Sequence, residues 1–192
     1  MSNPRLVVGI SGASGVILGI RLLEVLRPME IETHLVLSPA ARITIAQETD
    51  WKVSDVVALA DQVHKHDDIG ATIASGSFQT HGMVVVPCSI KTLSAIANSF
   101  AGDLISRAAD VTLKEGRPLA LVVREAPLHK GHIRLLSLAA ESGAIIFPPV
   151  PAFYTRPRTL NDMVDDTLAR VLDLLGVSHR LGRRWQGSPE AR

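Results

Sequence analysis

Short apolar runs alternate with longer amphipathic stretches along this chain, and this alternation restricts the folds open to it. The apolar runs, expected as strands, are Leu6–Ile10, His34–Leu37, Met83–Val86, Leu119–Val123 and Ala144–Phe147. The stretches expected as helices are Val16–Leu26, Pro39–Glu48, Ile90–Ala97, Leu104–Lys114, Ile133–Ala140 and Leu160–Leu175. Strands separated by helices form parallel sheets that helices cover on both faces. The sequence therefore predicts an α/β protein with a mostly parallel sheet.

Length and composition favour a single domain that binds neither nucleic acid nor membranes. The chain has 192 residues, of which 46% are hydrophobic, and this suffices for one core. We assign that domain to 1–180 and a polar C-terminal tail to 181–192. The formal net charge is only +1, and no apolar run is long enough to span a membrane. The lone cysteine, Cys88, fits a reducing compartment, so a cytoplasmic location is expected.

A glycine-rich turn follows the first predicted strand directly. Gly9-Ile10-Ser11-Gly12-Ala13-Ser14-Gly15 leads into a helical pattern that starts at Val16. Glycines let a backbone approach an anion closely, and the N–H groups at the start of the following helix attract it. This pattern is typical of a phosphate-binding turn, although the same glycines could simply close a strand–helix unit.

The spacing of these glycines favours a mononucleotide over a dinucleotide. It is G-x-x-G-x-x-G, whereas dinucleotide sites usually show G-x-G-x-x-G. The second predicted strand ends at Ser38, where an NAD site would need an acidic side chain for the ribose. No glycine stretch continues into Gly-Lys-Ser or Gly-Lys-Thr, which disfavours ATP or GTP. FMN is the nucleotide that remains.

Ligands of open parallel sheets bind beyond the carboxyl ends of the strands, so we searched there for reactive side chains. Arg124 and Glu125 directly follow a predicted strand and could bind phosphate and relay protons. Glu48 closes a predicted helix, where a carboxylate opposes the helix dipole unless another group recruits it. Tyr154 follows a stiff proline-rich loop, and either a reactive phenol or an aromatic anchor would fit that position.

Two further segments have both a functional and a structural interpretation. Pro87-Cys88-Ser89-Ile90-Lys91-Thr92 carries hydroxyls that could cap a helix or bind phosphate. Arg107 and Lys114 share one face of a predicted helix and could hold a phosphate, unless Asp110 neutralises them locally. The histidine pairs lack the pattern of a metal site, so no metal is expected.

Several segments, taken in order, resemble the flavin prenyltransferases of the UbiX-like family, over about residues 5–176. The matching segments are Ser11-Gly12-Ala13-Ser14-Gly15, Glu48-Thr49-Asp50, Ala74-Ser75-Gly76-Ser77-Phe78, Pro87-Cys88-Ser89-Ile90-Lys91-Thr92, Arg107-Ala108-Ala109-Asp110-Val111, Arg124-Glu125-Ala126-Pro127-Leu128 and Pro151-Ala152-Phe153-Tyr154. The tail Arg184-Trp185-Gln186-Gly187 is similar to the branch whose members are described as the second component of hydroxyarylic acid decarboxylases.

This resemblance implies a Rossmann-like three-layer fold in a homo-oligomer, commonly a dodecamer, with FMN bound between subunits. It implies transfer of a dimethylallyl group from dimethylallyl phosphate to reduced FMN, at N5 and then C6, which makes prenylated FMN for a UbiD-like decarboxylase. The implied FMN contacts are Gly12, Ala13, Ser14, Ser38, Ser89, Ile90, Lys91, Thr92 and Arg124. The implied prenyl phosphate contacts are Arg107, Lys114, Tyr154 and Arg170, and Ser14, Glu48 and Glu125 are implied in proton transfer.

The chain departs from the family pattern at one informative place. The family usually reads Lys-Glu-Arg-Arg-Pro where this chain has Gly116 in the third position, so we expect the helix to end there through a glycine. Two alternative functions stay open at this stage. One is a non-catalytic FMN carrier or assembly subunit of an aromatic acid decarboxylase. The other is an FMN-dependent cysteine decarboxylase, although the Pro-x-Met-Asn motif of that family does not occur.

Overall fold

The computed structural model describes residues 3–182, 184, 185 and 187, which form alternating strands and helices. The strands are β1 (Arg5–Ile10), β2 (Glu32–Leu37), β3 (Gln62–His64), β4 (Gly82–Cys88), β5 (Leu119–Val123) and β6 (Ile145–Ile146). The helices are α1 (Val16–Leu26), α2 (Pro39–Glu48), α3 (Val53–Val57), α4 (Ile90–Ala97), α5 (Leu104–Lys114), α6 (Lys130–Glu141) and α7 (Leu160–Leu174). Short 3-10 turns occur at Thr72–Ala74 and Phe153–Thr155.

The six strands form one sheet in the order β3-β2-β1-β4-β5-β6. Each neighbouring pair is parallel, which confirms the predicted α/β class. The chain builds outward from β1 in one direction and from β4 in the other. The β1–β4 boundary is therefore the place where the strand order reverses, and such a boundary is the usual ligand site of an open α/β sheet.

Helices cover both faces of the sheet and produce two apolar layers. On β4, Val84 and Val86 face the layer under α1, α2 and α7, whereas Met83 and Val85 face the layer under α4 and α5. All four side chains are fully buried. Burial of such a side chain contributes about 1.5–3 kcal/mol relative to exposure. Because both faces are apolar, the central strands lose their position only if both layers are disrupted together.

Several helices begin and end at the residues that the sequence predicts. Ser38 and Ser89 cap α2 and α4, because their hydroxyls accept hydrogen bonds from the backbone N–H groups of Ala41 and Thr92. Helix α5 ends at Gly116, whose φ of +65° suits glycine. The N–H of Gly116 donates to Leu113 and that of the next residue to Thr112, which forms a Schellman motif and confirms the predicted stop.

The sequence prediction was incomplete in three places. It missed β3 and α3, which are short and partly exposed. It began α6 at Ile133, whereas the helix begins at Lys130 because His129 Nδ1 accepts a hydrogen bond from the N–H of Gly131. Of the tail 181–192, residues 183, 186 and 188–192 lie outside the described part, and the division at 181 stays a prediction. In the described part, no helix is both long and apolar enough to span a bilayer.

Candidate active site

A buried serine joins the carboxyl ends of β1 and β4. The Ser11 hydroxyl donates to the carbonyl of Pro87 at 2.9 Å and accepts from the N–H of Ser89 at 2.7 Å. Its side chain satisfies two backbone groups that would otherwise be buried without partners. The glycine turn and the start of α4 are thereby fixed side by side. Sequence analysis placed Ser11 in the turn but did not foresee this bridge.

The glycine turn lies very close to the start of α2. A Cβ on Gly12 would lie 2.2 Å from the Cβ of Ala40, so only glycine fits this approach. Gly15 has a φ of +93° and precedes the first residue of α1. The N–H groups of Gly12 and Ser14 donate to no described residue. Backbone donors of this kind suit a phosphate or the polar edge of a flavin.

Three helices begin beside one another at this edge of the sheet. Helices α1, α2 and α4 follow β1, β2 and β4, which are neighbours in the sheet. Each helix start carries the positive end of a dipole, and together they favour an anion. The predicted FMN residues at this edge are Gly12, Ala13, Ser14, Ser38, Ser89, Ile90, Thr92 and Arg124. The fold therefore brings most of that predicted set to one edge.

Glu48 is recruited to the glycine turn. One oxygen of its carboxylate accepts a hydrogen bond from the N–H of Gly15 at 2.8 Å. Although Glu48 is the last residue of α2, its charge faces the positive end of α1. This contact explains a carboxylate that the sequence marked as unfavourably placed. It also positions an acid–base group beside the backbone of Ser14.

Arg124 and Glu125 follow β5 at the same edge, and both are exposed. The N–H of Arg124 donates to the carbonyl of Cys88 at 3.2 Å, which holds this segment against β4. The guanidinium of Arg124 makes no ion pair with any described residue. The Glu125 carboxylate contacts only the N–H of Ala126, at 3.2 Å, among the described residues. Both side chains are therefore available to a ligand.

Three predicted cations are held away from the glycine turn by acidic neighbours. Lys91 pairs with Asp103 at 3.2 Å. Arg107 pairs with Asp110 at 2.9 Å, which is the local neutralisation that the sequence left open. Lys114 pairs with Glu115, and this pair lowers the pKa of the Glu115 carboxyl. A phosphate would have to draw these cations away from their carboxylates.

Arg117 fastens the segment after Ala74 to the end of α5. Its guanidinium donates to the carbonyls of Gly76 and Phe78, at 2.7 and 3.0 Å, and to the hydroxyl of Thr80 at 3.2 Å. Its side chain is largely buried. Sequence analysis missed Arg117, since a guanidinium that binds carbonyls 37 to 41 residues away leaves no local signal.

Tyr154 and Arg170 lie in a separate cavity of about 270 Å³. The ring of Tyr154 meets the ring of Trp185 edge to face, with centroids 5.6 Å apart. Arg170 pairs with Asp173 at 3.1 Å. The residues that line this cavity include none of Ser14, Glu48 and Glu125. Within one chain, therefore, the predicted site residues are divided between the sheet edge, α5 and this cavity.

The histidines and the cysteine have structural surroundings. His34 and His64 stack, with Nδ1 and Nε2 2.9 Å apart, and burial lowers the pKa of both. His66 approaches Asp103 at 3.4 Å. Burial raises the pKa of Cys88 to about 12, so its thiol is not a nucleophile near neutral pH. No three potential metal ligands cluster among the described residues.

The fold and the sheet-edge site together define a flavoprotein, and comparisons with known proteins agree. Residues 1–172 match the family described as Flavoprotein. The chain is 59% identical over 187 residues to the flavin prenyltransferase UbiX of Escherichia coli strain K12, which covers 96% of this chain and 99% of that protein. This chain belongs to the UbiX family of flavin prenyltransferases.

Two solved structures are similar along nearly the whole length. The crystal structure of AnUbiX in complex with FMN and dimethylallyl pyrophosphate superimposes with a TM-score of 0.95 at 49% identity, covering 97% of this chain and 100% of that one. A dodecameric FMN-dependent Ubix-like decarboxylase from Escherichia coli O157:H7 gives a TM-score of 0.93 at 50% identity, covering 95% and 100%. Both agree with the three-layer fold described above.

Proposed function

We propose that this chain transfers a dimethylallyl group from dimethylallyl phosphate to reduced FMN, first to N5 and then to C6. The observation that carries the proposal is the sheet edge, where open amides, three helix starts and the Glu48 carboxylate lie together. This arrangement supports a phosphate-bearing flavin next to an acid–base group. Full-length similarity to the flavin prenyltransferase UbiX supports the same reaction.

The residues at the sheet edge have the chemistry that FMN binding requires. Backbone N–H groups of Gly12 and Ser14 and the start of α1 would hold acceptor oxygens of the nucleotide. Ser38, Ser89 and Thr92 add hydroxyls, and Arg124 adds a cation without an ion-pair partner among the described residues. Reduced FMN supplies the two ring atoms that accept the prenyl group.

Departure of the phosphate needs positive charge and a proton donor. Arg107, Lys114 and Arg170 would stabilise the charge that develops as the carbon–oxygen bond breaks, and the phenol of Tyr154 would donate a hydrogen bond to the leaving oxygen. The two cations on α5 are now paired with acidic neighbours, so binding would exchange a carboxylate for a phosphate. That exchange favours a doubly charged ligand over a singly charged one.

Proton transfer is assigned to Glu48, Glu125 and Ser14. Closing the new ring at C6 releases a proton from carbon, and a carboxylate beside the flavin would accept it. Glu48 is held by Gly15 next to Ser14, and the exposed Glu125 is free to turn toward a ligand at the same edge. A mere carrier of FMN would need the glycine turn but neither carboxylate, which favours an enzyme over the carrier alternative.

The proposal includes an assembly in which each site is completed by neighbouring copies. One chain separates Tyr154 and Arg170 from the glycine turn, so a single copy does not form the whole site. Large apolar side chains are exposed beside Tyr154, with exposed fractions of 74% for Val150 and 72% for Phe153. Such side chains suit a contact between copies. The dodecamer of the Ubix-like decarboxylase supports the same kind of assembly here.

The proposal also covers the fate of the product and the place of the reaction. Prenylated FMN would pass to a UbiD-like decarboxylase as its cofactor, as the family resemblance implies. A cytoplasmic location is supported by the single cysteine, Cys88, which is buried and reduced.

The decisive experiment is anaerobic incubation of the purified chain with reduced FMN and dimethylallyl phosphate, followed by mass analysis of the flavin. We expect flavin that is heavier by one C5H8 unit and has lost no other atoms. A reaction without protein is the control. Flavin that binds but leaves unchanged would contradict the proposal and support the carrier alternative.

A further inference from the structure

Three side chains converge on the carboxylate of Asp173, in the last turn of α7. Arg170 Nη1 lies 3.1 Å from Oδ2, whereas Arg184 Nη2 lies 2.8 Å and His179 Nε2 3.1 Å from Oδ1. Arg170 comes from the same helix, whereas the other two lie beyond its end. Asp173 therefore connects α7 to the chain that follows it.

His179 binds Asp173 as a neutral donor. Its Nδ1 accepts a hydrogen bond from the N–H of Leu181 at 3.1 Å, so the ring hydrogen belongs on Nε2, which faces Asp173. The side chain of His179 is almost fully buried. Burial acts to raise the pKa of Asp173, but hydrogen bonds from Arg184 and His179 outweigh it and lower that pKa. The carboxylate is therefore ionised at neutral pH.

The chain after α7 folds back along that helix. We name the described residues 177–182, 184 and 185 the C-terminal strap. At Gly182, with a φ of +70°, a Cβ would lie 2.7 Å from the Cβ of Ala169, so the strap passes directly against α7. The strap ends at Trp185, whose ring contacts Tyr154. Asp173 thus holds both Arg170 and the segment that carries Trp185.

We propose that Asp173 is a positioning residue that sets Arg170 and the C-terminal strap in place to receive the prenyl phosphate. This inference rests on the proposed function, since it assigns the cavity of Tyr154 and Arg170 to the donor. A carboxylate in the last turn of a helix opposes the helix dipole, so its place there depends on the partners that it gathers. It keeps the two arginines on one wall of the cavity and the indole against Tyr154.

Positioning and simple charge screening predict opposite effects. If Asp173 only screened the arginines, removal of its charge would leave them more attractive to phosphate, and the KM for the donor would fall. If it positions them, the same change frees Arg170, Arg184 and the strap, and the KM rises. The sign of the KM change therefore distinguishes the two roles.

The test compares Asp173→Asn with Asp165→Asn in the intact protein. Asp165 lies on the same helix and pairs with Arg21 at 2.8 Å, but it does not line this cavity. It therefore controls for general weakening of α7. For Asp173→Asn we expect the KM for dimethylallyl phosphate to rise about tenfold, as loss of charge-assisted bonds predicts, with FMN affinity unchanged. Asp173→Glu should recover part of that loss.

Hydrogen exchange of the C-terminal peptide, followed by mass spectrometry, provides the second readout. Asp173→Asn should exchange faster there because the N–H of Leu181 loses its fixed acceptor, whereas Asp165→Asn should not. An unchanged or lower KM, or equal effects of both variants, would overturn the inference. If the wild type transfers no prenyl group, the proposed function fails. Unchanged exchange in Asp173→Asn would then independently overturn the role of Asp173 in holding the strap.

Discussion

Replacement of Gly12 by alanine tests whether the close approach of the glycine turn to α2 maintains the site. The new Cβ would lie 2.2 Å from the Cβ of Ala40 and 3.2 Å from its Cα and carbonyl carbon. Carbon atoms normally stay about 3.5–4.0 Å apart, so the start of α2 must move by more than an ångström. Overpacking of this kind typically costs about 1–3 kcal/mol. Ser38, which caps α2, would move with it.

This cost gives a measurable loss of thermal stability and of FMN affinity. For a chain of this size, about 1–3 kcal/mol lowers Tm by roughly 2–12 °C. Thermal unfolding and fluorescence titration with FMN would follow the two effects. Gly70→Ala is the matched control, since a Cβ at Gly70 comes no closer than 3.5 Å to another atom.

A double variant refines the test. Ala40→Gly removes the atom that collides, although it costs up to about 1 kcal/mol in helix propensity. We therefore expect Gly12→Ala with Ala40→Gly to be more stable than the sum of the single effects, by at least about 0.5 kcal/mol. Additive effects would show that the turn does not depend on this contact and would refute the reasoning.

Three other predictions follow from the site and the core. Glu48→Gln and Glu125→Gln should each slow turnover by roughly 10²-fold to 10⁴-fold while FMN still binds, and near wild-type rates would remove their proton-transfer roles. Lys114→Ala and Arg170→Ala should weaken use of the prenyl phosphate by about tenfold or more with little change in FMN titrations, because they would lose charge-assisted contacts to phosphate alone. Burial holds the pKa of His34 below its unfolded value of 6.5, despite the opposing charge of Glu32, so the folded state takes up its proton less readily. The urea midpoint should therefore be steady above about pH 7 and fall as the pH drops below about 6.5, and His34→Asn should reduce that slope.

Local patterns predicted most of the fold. Helices α1, α2, α4 and α5 have the predicted bounds, because apolar spacing and the caps Ser38 and Ser89 act within a few residues. Strand β3 was missed because Gln62–His64 lies at the sheet edge and is largely exposed, so no alternation marks it. Its position comes from pairing with β2, which the local sequence does not reveal.

The site was predictable by residue type rather than by arrangement. The sequence showed that Glu48 needed a partner, but it did not reveal that the N–H of Gly15 is that partner. Likewise, Asp173 and Arg184 carried no signal, since their meeting depends on the strap folding back along α7. Contacts between distant segments follow from packing of the whole chain, and a motif can only indicate which residues take part.

The two outer strands of the sheet are very short: β3 has three residues and β6 has two. They leave few unpaired backbone groups for another chain to extend the sheet. Copies of this protein would therefore join through side chains and loops rather than by continuing one sheet across molecules. Such a surface can change its partners by substitution while the sheet inside stays intact, so assembly and folding can evolve separately.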